Sequence, residues 1–406
     1  MIATIRAASK EYPGQFWLMF WGMLISTIGS SIVWPFLMIY ASTRLQLPLP
    51  EVTILNSMKA LVGLFSVFWA GSIADRVGRK WVMVISLAIN GACYLFMSQA
   101  TSFWQFAILM CVLGLANPLY RVGSDAMMAD LVPPEKRLDA YSLLRMSNNV
   151  GVALGPAIGG FVASVSYNLA FICAATGLIT YSLLLIVRAK ETLPARSLTV
   201  KPAEIESARG YRRIFKDYPF LTFVGSFTMT YISAAIMWVL LSVYTKNYYG
   251  LPEKMYGFIP ATNAIMVIAF QLLVTKYTKR FKPNRVMALG ALFYAIGVGS
   301  VAFGRGFWGF WLSMVIMTIG ELILVPTSST YAANLAPADM RGRYMGIYSL
   351  TWGVAEGVGP FLSTNLSKVL GPQYIWLTGG AAALISVPAF LLLSLWQKKR
   401  ASQDST

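Results

Sequence analysis

The chain has 406 residues, of which 57% are hydrophobic and only 12% are charged, and its formal net charge is +17. Soluble domains carry roughly a quarter charged residues, so this composition excludes an ordinary soluble protein. The long apolar runs lack period-two alternation, which favours membrane-spanning helices over a β-barrel. The three cysteines lie within these runs and histidine is absent, so we expect no disulfide, no metal site and no cofactor.

Twelve apolar segments are long enough to cross a bilayer, which takes about 20 residues of helix. They lie at 16–40, 52–74, 81–99, 103–129, 140–164, 168–188, 219–245, 255–275, 285–304, 307–333, 344–367 and 374–396. The polar stretch 189–217 divides them six and six. We therefore predict an N-terminal six-helix bundle at 1–188, a cytoplasmic linker at 189–217 and a C-terminal six-helix bundle at 218–406. Residues 210–220 read either as a short amphipathic helix on the membrane surface or as a solvated tether.

Lysine and arginine are distributed unevenly between the predicted loops. If the N-terminus is cytoplasmic, 25 of them lie on that side and five on the other. Cytoplasmic loops of membrane proteins are enriched in these residues, so both termini are predicted to be cytoplasmic. The same rule explains the net charge, and we expect no nucleic-acid partner.

The two halves of the chain resemble each other at a constant offset of 204 residues. The matching pairs include Trp34/Trp238, Tyr40/Tyr244, Leu131/Leu335, Pro133/Pro337, Arg137/Arg341, Gly155/Gly359 and Pro156/Pro360. Such a repeat predicts two pseudo-symmetric bundles, an arrangement typical of secondary transporters.

The loop between the second and third segments carries a motif. Residues 71–80 read GSIADRVGRK, which resembles the G-x-x-x-D-R-x-G-R-[RK] signature of the major facilitator superfamily. The resemblance implies the all-α fold of that family, with twelve transmembrane helices in two pseudo-symmetric six-helix bundles. It also implies that the bundles rock about a solute site between them.

In that family the loop acts as a conformational latch on the inner side. The residues that the resemblance assigns to it here are Gly71, Asp75, Arg76, Gly78, Arg79, Lys80 and Asp130. Asp75 is expected to meet the start of helix 11, where a helix dipole favours an anion. Arg79 is expected to pair with Asp130, and Gly71 to admit a neighbouring backbone. A loop that only sets topology would explain the basic residues but not the spacing of the glycines and the acid. The equivalent loop, 275–284, lacks that acid and those glycines.

The fifth segment contains a second motif. Residues 151–160 read GVALGPAIGG, which is similar to the G-x-x-x-G-P-x-x-G-G signature of exporters, notably of the drug:proton antiporter branch. The motif residues are Gly151, Gly155, Pro156, Gly159 and Gly160. Small residues at this spacing allow close helix packing, which is also the structural explanation of the motif. In the fourth segment, however, Met110 stands where that branch has an arginine.

Ionisable residues deep in a bilayer are the best functional candidates because each is costly unless paired or hydrated. Glu321 and Glu356 are the candidates for proton coupling, and Glu321 is expected to face the solute path. Lys59 could form a structural ion pair with Glu356. Asp125, Asp130, Arg121 and Arg145 are expected to form a structural ion-pair cluster, in which Arg121 is also a candidate for substrate contact.

Aromatic and amide side chains supply the remaining cavity candidates, which are Trp34, Trp238, Tyr231 and Asn263. Trp34 and Trp238 could instead anchor the protein at the membrane interface. Interfacial anchoring is the better explanation for Tyr40 and Tyr244, which lie near the outer ends of their segments.

The resemblance and the residues together favour a proton-coupled exporter of amphipathic, drug-like molecules that works by alternating access in the plasma membrane. The alternative is a proton-coupled symporter for a small nutrient such as a peptide or sugar. No P-loop is present, so an ion gradient is the expected energy source. The sequence shows no nucleophile and base arranged for catalysis, so we do not expect an enzyme. A channel would not need the latch. The expected partners are the solute, protons and membrane lipid, and we expect a monomer.

Overall fold

The computed structural model of the protein describes residues 12–133, 136–193, 214–336 and 341–403. In these ranges the chain is helical, and it contains twelve long helices, which confirms the predicted fold class. They are α1 (Gly14–Leu45), α2 (Leu49–Val77), α3 (Arg79–Gln99), α4 (Phe103–Leu131), α5 (Arg137–Val165), α6 (Tyr167–Arg188), α7 (Tyr218–Tyr249), α8 (Phe258–Thr278), α9 (Pro283–Ser300), α10 (Gly306–Leu335), α11 (Arg341–Leu370) and α12 (Tyr374–Gln403). One further helical turn, Glu253–Tyr256, precedes α8.

Side chains of the short loops begin several of these helices. At α4, the Ser102 hydroxyl accepts a hydrogen bond from the Gln105 backbone N–H at 3.3 Å, and the Gln105 side chain accepts one from the Ser102 N–H at 3.2 Å. This capping box satisfies two of the N–H groups that a helix start leaves open. At α7, Asp217 caps the Phe220 N–H at 3.3 Å, while Gly250 ends the helix with φ of 62°.

Prolines interrupt the helical hydrogen bonding, and neighbouring helices repair two of the interruptions. Proline has no N–H for the carbonyl four residues earlier. Pro360 thus frees the Glu356 carbonyl, which accepts instead from Asn56 Nδ2 at 3.1 Å. Pro326 frees the Leu322 carbonyl, which accepts from Gln271 Nε2 at 3.1 Å. In α1, Pro35 lies in a 3-10 turn at Trp34–Phe36. Because water is absent from the hydrocarbon core, such replacement partners stabilise a membrane helix.

The chain forms two compact units. Unit 1 takes its described residues from Met1–Leu47, Met58–Thr199 and Pro252–Ala264, and unit 2 takes its own from Pro48–Ser57, Val200–Leu251 and Ile265–Thr406. The first residues of α2 therefore cluster with unit 2, and those of α8 with unit 1. The domain limits 1–188 and 218–406 stay a prediction.

The main helix pairings are the same in both units. In unit 1, α1 packs on α4, α5 and α6, while α3 packs on α4 and α6. In unit 2, α7 packs on α10, α11 and α12, while α9 packs on α10 and α12. Each pairing is shifted by six helices, so the sequence repeat at an offset of 204 residues corresponds to a repeat in packing.

Large apolar side chains are exposed on the helices and at their ends. Val165 is 81% exposed, Phe303 79% and Trp308 72%, which would be costly in water. Among the described helices, nine are long and apolar enough to cross a membrane by length and composition alone, and α8, α9 and α11 are not among them. The tyrosine pair departs from expectation, because Tyr40 and Tyr244 are only 7% and 3% exposed. Both pack inside their units rather than at an interface; the Tyr40 hydroxyl donates to the Ser98 carbonyl at 3.0 Å.

Only the ends of the predicted linker fall within the described residues. Residues 189–193 follow α6 without helix, and Asp217 caps α7. The central part of 189–217, with the first four residues (210–213) of the predicted amphipathic helix, lies outside the described residues.

Candidate functional site

The loop between α2 and α3 turns at a single glycine. Gly78 has a φ of 100°, a region that favours glycine. A Cβ there would also lie 2.4 Å from Oε2 of Glu191. That carboxylate accepts hydrogen bonds from the backbone N–H groups of Arg79 at 3.0 Å and Lys80 at 3.1 Å. Glu191 therefore caps the start of α3, where the helix dipole favours an anion.

The side chains of the loop bind elements of unit 1. Arg79 forms an ion pair with Asp130, at the end of α4. The Lys80 ammonium donates to the Ile186 carbonyl at 2.9 Å and lies 5.1 Å from the ring centre of Trp81, while Arg76 is exposed. The loop thus ties α3 to the ends of α4 and α6.

Two predictions for the loop concern Gly71 and Asp75. Among the described residues, no atom lies within 4 Å of the place that a Cβ on Gly71 would take. The described residues thus provide no close neighbour for Gly71, and the expected approach of a backbone there stays a prediction. The side chain of Asp75 lies outside the described residues, so its contact with helix 11 stays a prediction.

Three glycines of the α5 motif form a contact surface for α1. A Cβ on Gly151 would lie 2.7 Å from Thr27 Cβ, and one on Gly155 would lie 2.3 Å from Ser31 Cβ. A Cβ on Gly159 would lie 2.3 Å from the Ile32 carbonyl oxygen. Only glycine fits at this spacing, which is the close packing that small residues allow between membrane helices. The helix continues through Pro156.

The end of the same motif packs on another part of unit 1, the turn Glu253–Tyr256 and the residue after it. A Cβ on Gly160 would lie 2.5 Å from the Glu253 carbonyl oxygen, and one on Gly257 would lie 2.4 Å from the Pro156 carbonyl oxygen. Beside this contact the Tyr167 hydroxyl donates to Oε1 of Glu253 at 2.7 Å. The motif thus makes two backbone-to-backbone contacts on different sides of α5.

In unit 2, the Glu321 carboxylate interacts electrostatically with a buried tyrosine, Tyr294. The Tyr294 phenol, on α9, is 2% exposed and interacts electrostatically with Glu321 on α10, Tyr231 on α7 and Tyr348 on α11. Four helices therefore direct these polar groups towards one region. A carboxylate deep in a membrane protein is costly and marks functional sites.

An aromatic seam runs from this region along α7 and α11. The ring centres of Phe227 and Tyr231 are 4.2 Å apart, and Tyr231 meets Trp352 edge-on at 5.3 Å. Tyr348 stacks on Phe227 at 4.9 Å and on Phe223 at 5.9 Å. Tyr231, Tyr348 and Trp352 are partly exposed. The seam offers flat apolar faces beside hydroxyl groups, which can take up an amphipathic molecule.

Unit 1 holds a polar pocket of about 120 Å³. Ser26, Ser30, Asn90, Asn117 and Tyr120 contribute the polar groups. Among them, Asn90 Nδ2 donates to the Ser86 carbonyl at 2.8 Å. The pocket carries no ionisable carboxylate in its described lining, so Glu321 remains the stronger site for a proton.

The remaining predicted site residues are spread over both units. Trp34 lies in the 3-10 turn of α1 and Trp238 in α7, both partly exposed, whereas Asn263 is only 4% exposed. Arg121 and Asp125 interact electrostatically on α4, and Arg145 is exposed on α5. Lys59 belongs to unit 1 and Glu356 to unit 2, so their pairing stays a prediction.

The comparison with protein families decides the identity of the fold. The model of the Major Facilitator Superfamily matches residues 19–355 and also 225–406. The chain belongs to the Major Facilitator Superfamily. It is therefore a multi-pass membrane transporter of small molecules rather than an enzyme.

Relatives within the Major Facilitator Superfamily cover nearly the whole chain. A multidrug resistance protein, MdtH, of Escherichia coli O157:H7 is 24% identical over 98% of both chains. A Na⁺, Li⁺, K⁺/H⁺ antiporter of Planococcus maritimus is 25% identical over 91% of this chain and 93% of its own. The crystal structure of a POT family transporter in complex with 5-aminolevulinic acid matches with a TM-score of 0.77 at 16% identity, over 94% of this chain and 96% of that one. This likeness shows a shared fold.

Several residues of these sites carry no signal in the sequence that would predict their role. Glu191 and Glu253 lie at the edges of helices and read as ordinary loop acids. Tyr294 lies within an apolar segment that carries no motif. The aromatic seam did leave a signal, since Phe220, Phe223, Phe227 and Tyr231 recur every three or four residues, which places them on one helix face.

Proposed function

We propose that the protein is a proton-coupled exporter of amphipathic, drug-like molecules in the plasma membrane, with both termini in the cytoplasm. The observation that carries the proposal is the Glu321 carboxylate, which interacts electrostatically with Tyr294, as do Tyr231 and Tyr348 of the aromatic seam. Aromatic faces bind apolar and cationic solutes of varied shape, which suits a transporter of broad substrate range.

Glu321 would couple this binding to protons. Ionised, it attracts a cationic solute into the seam; protonated, it is neutral and attracts that solute much less. Because the two states of a carboxyl group differ in their affinity for the solute, protonation can shift the balance between conformations of an alternating-access transporter. The glycine motif of α5 and the names of the multidrug and cation/proton antiporter relatives support export over nutrient uptake.

The test is transport of ethidium in proteoliposomes with an imposed pH gradient. Wild type is expected to move ethidium against the direction of proton flow. Glu321→Gln, which resembles the protonated carboxyl group, is expected to lose this gradient-driven transport and to bind ethidium more weakly than wild type, with an affinity that no longer changes with pH. Exchange at saturating ethidium without a gradient is expected to remain. Glu356→Gln in parallel shows which membrane carboxylate carries the coupling. Full gradient-driven transport by Glu321→Gln would overturn the assignment, and movement of solute along with protons would favour the nutrient symporter.

A further inference from the structure

A large apolar groove lies on the outside of unit 2, between α8, α9 and α10. Its volume of about 640 Å³ falls within the range of ligand sites, roughly 300–1,000 Å³. The walls are formed by apolar side chains such as Leu273, Val274, Leu289 and Ile323, and Arg285 lies at one end. Leu273 is 65% exposed and Leu289 48%, so the groove is open to its surroundings.

The surface around the groove has the composition of a surface that faces lipid. The protein crosses the bilayer many times, and exposed apolar side chains continue beyond the groove on α8 and α9, including Ile268, Phe270 and Ile296. Acyl chains are the apolar molecules that such a surface meets. The groove therefore favours a lipid tail over a soluble solute.

A cluster of cations lies at the end of the groove where α8 gives way to α9. Lys276, Lys279, Arg280, Lys282 and Arg285 fall within ten residues that contain no acid, and all five side chains are exposed. The start of α9 adds its helix dipole, and its first turn carries no acidic residue. The charge at this end of the groove is complementary to an anionic headgroup.

The equivalent loop of unit 1 shows what this cluster lacks. There Asp130 pairs with Arg79 and Glu191 caps α3. At the offset of 204 residues, these two acids correspond to Asn334 and Leu395, and the acid of the latch, Asp75, corresponds to Lys279. The loop of unit 2 thus carries basic residues without the acids that would neutralise them at the equivalent positions.

We propose that the groove is a binding site for an anionic phospholipid. One acyl chain lies between α8, α9 and α10, and the phosphate lies against Lys279, Arg280 and Arg285. A zwitterionic lipid of the same chain length binds less well because its second charge is repelled by the cluster.

The test is native mass spectrometry of the full-length protein, titrated with phosphatidylglycerol or phosphatidylcholine of the same acyl chains. Wild type is expected to retain phosphatidylglycerol preferentially. Each cation near a membrane surface strengthens binding of anionic lipid by about fivefold. The three contributions multiply, so the triple variant Lys279→Gln, Arg280→Gln, Arg285→Gln is expected to weaken retention by about a hundredfold. The matched control Arg188→Gln, Lys190→Gln, Lys216→Gln removes three exposed cations elsewhere and is expected to bind as wild type does.

Two further measurements test the apolar groove and the phosphate-binding cations independently. Leu289→Trp fills the groove with the cations intact and is expected to lower phosphatidylglycerol retention, while inorganic phosphate is expected to compete poorly. Equal loss in the control triple variant, equal retention of phosphatidylcholine, or full competition by inorganic phosphate would each overturn the proposal.

Discussion

The contact between α1 and α5 allows a quantitative prediction at Gly159. An alanine Cβ there would lie 2.3 Å from the Ile32 carbonyl oxygen and 2.9 Å from Ile32 Cα. Both atoms belong to the backbone and cannot rotate away. Real Cβ atoms essentially never come within 3.0 Å of a non-bonded heavy atom. The backbones of α1 and α5 must therefore move apart by at least about 0.7 Å.

Overpacking of this kind costs about 1–3 kcal/mol. For a unit of this size, each kcal/mol lowers the melting temperature by roughly 2–4 °C, so Gly159→Ala is expected to unfold roughly 2–12 °C below wild type. The assay is the loss of helical circular dichroism during heating, at one fixed scan rate. This signal follows the helices of both units, so variants of either unit can be compared.

The matched control is Gly225→Ala. Gly225 lies within α7, and among the described residues no atom lies within 4 Å of the place of its Cβ. Alanine is the better helix former by about 1 kcal/mol, so this variant is expected to unfold at or above the wild-type temperature. If Gly159→Ala were as stable as Gly225→Ala, the close contact between α1 and α5 would be refuted.

Two further predictions concern polar contacts. Asp130→Asn removes the partner of Arg79, whose side chain is only 16% exposed. The variant is expected to lower the free energy of unfolding by about 1–2 kcal/mol, between the values for surface and buried ion pairs. A double-mutant cycle with Arg79→Gln in the same melting assay checks this, and strictly additive effects would contradict it. Asn56→Leu leaves the Glu356 carbonyl, already freed by Pro360, without its donor, and is expected to cost about 1–3 kcal/mol. Its control is Asn365→Leu. The Asn365 amide donates to the Phe361 carbonyl within α11 at 2.9 Å, and that carbonyl has not lost its helical donor to a proline. Equal melting temperatures for the two variants would argue that Asn56 does not replace the hydrogen bond lost at Pro360.

The sequence by itself determined the membrane setting, the twelve helices and the repeat, because these depend on local hydropathy and on spacing along the chain. The loop of residues 71–80 and the glycines of α5 could be read in the same way, since a short motif contains its own geometry. Gly71 shows the limit of such reading: its residue type permits a close contact, yet no described atom lies there.

Only the tertiary structure decided which distant groups meet. Asn56 and the Glu356 carbonyl are 300 residues apart, and no local pattern predicts that one would repair the proline gap of the other. Likewise Glu321 was recognisable as a costly charge, but Tyr294 entered its surroundings only through the packing of α9 on α10. Hydropathy fixes which residues leave water, whereas the partners of buried polar groups depend on how the helices pack.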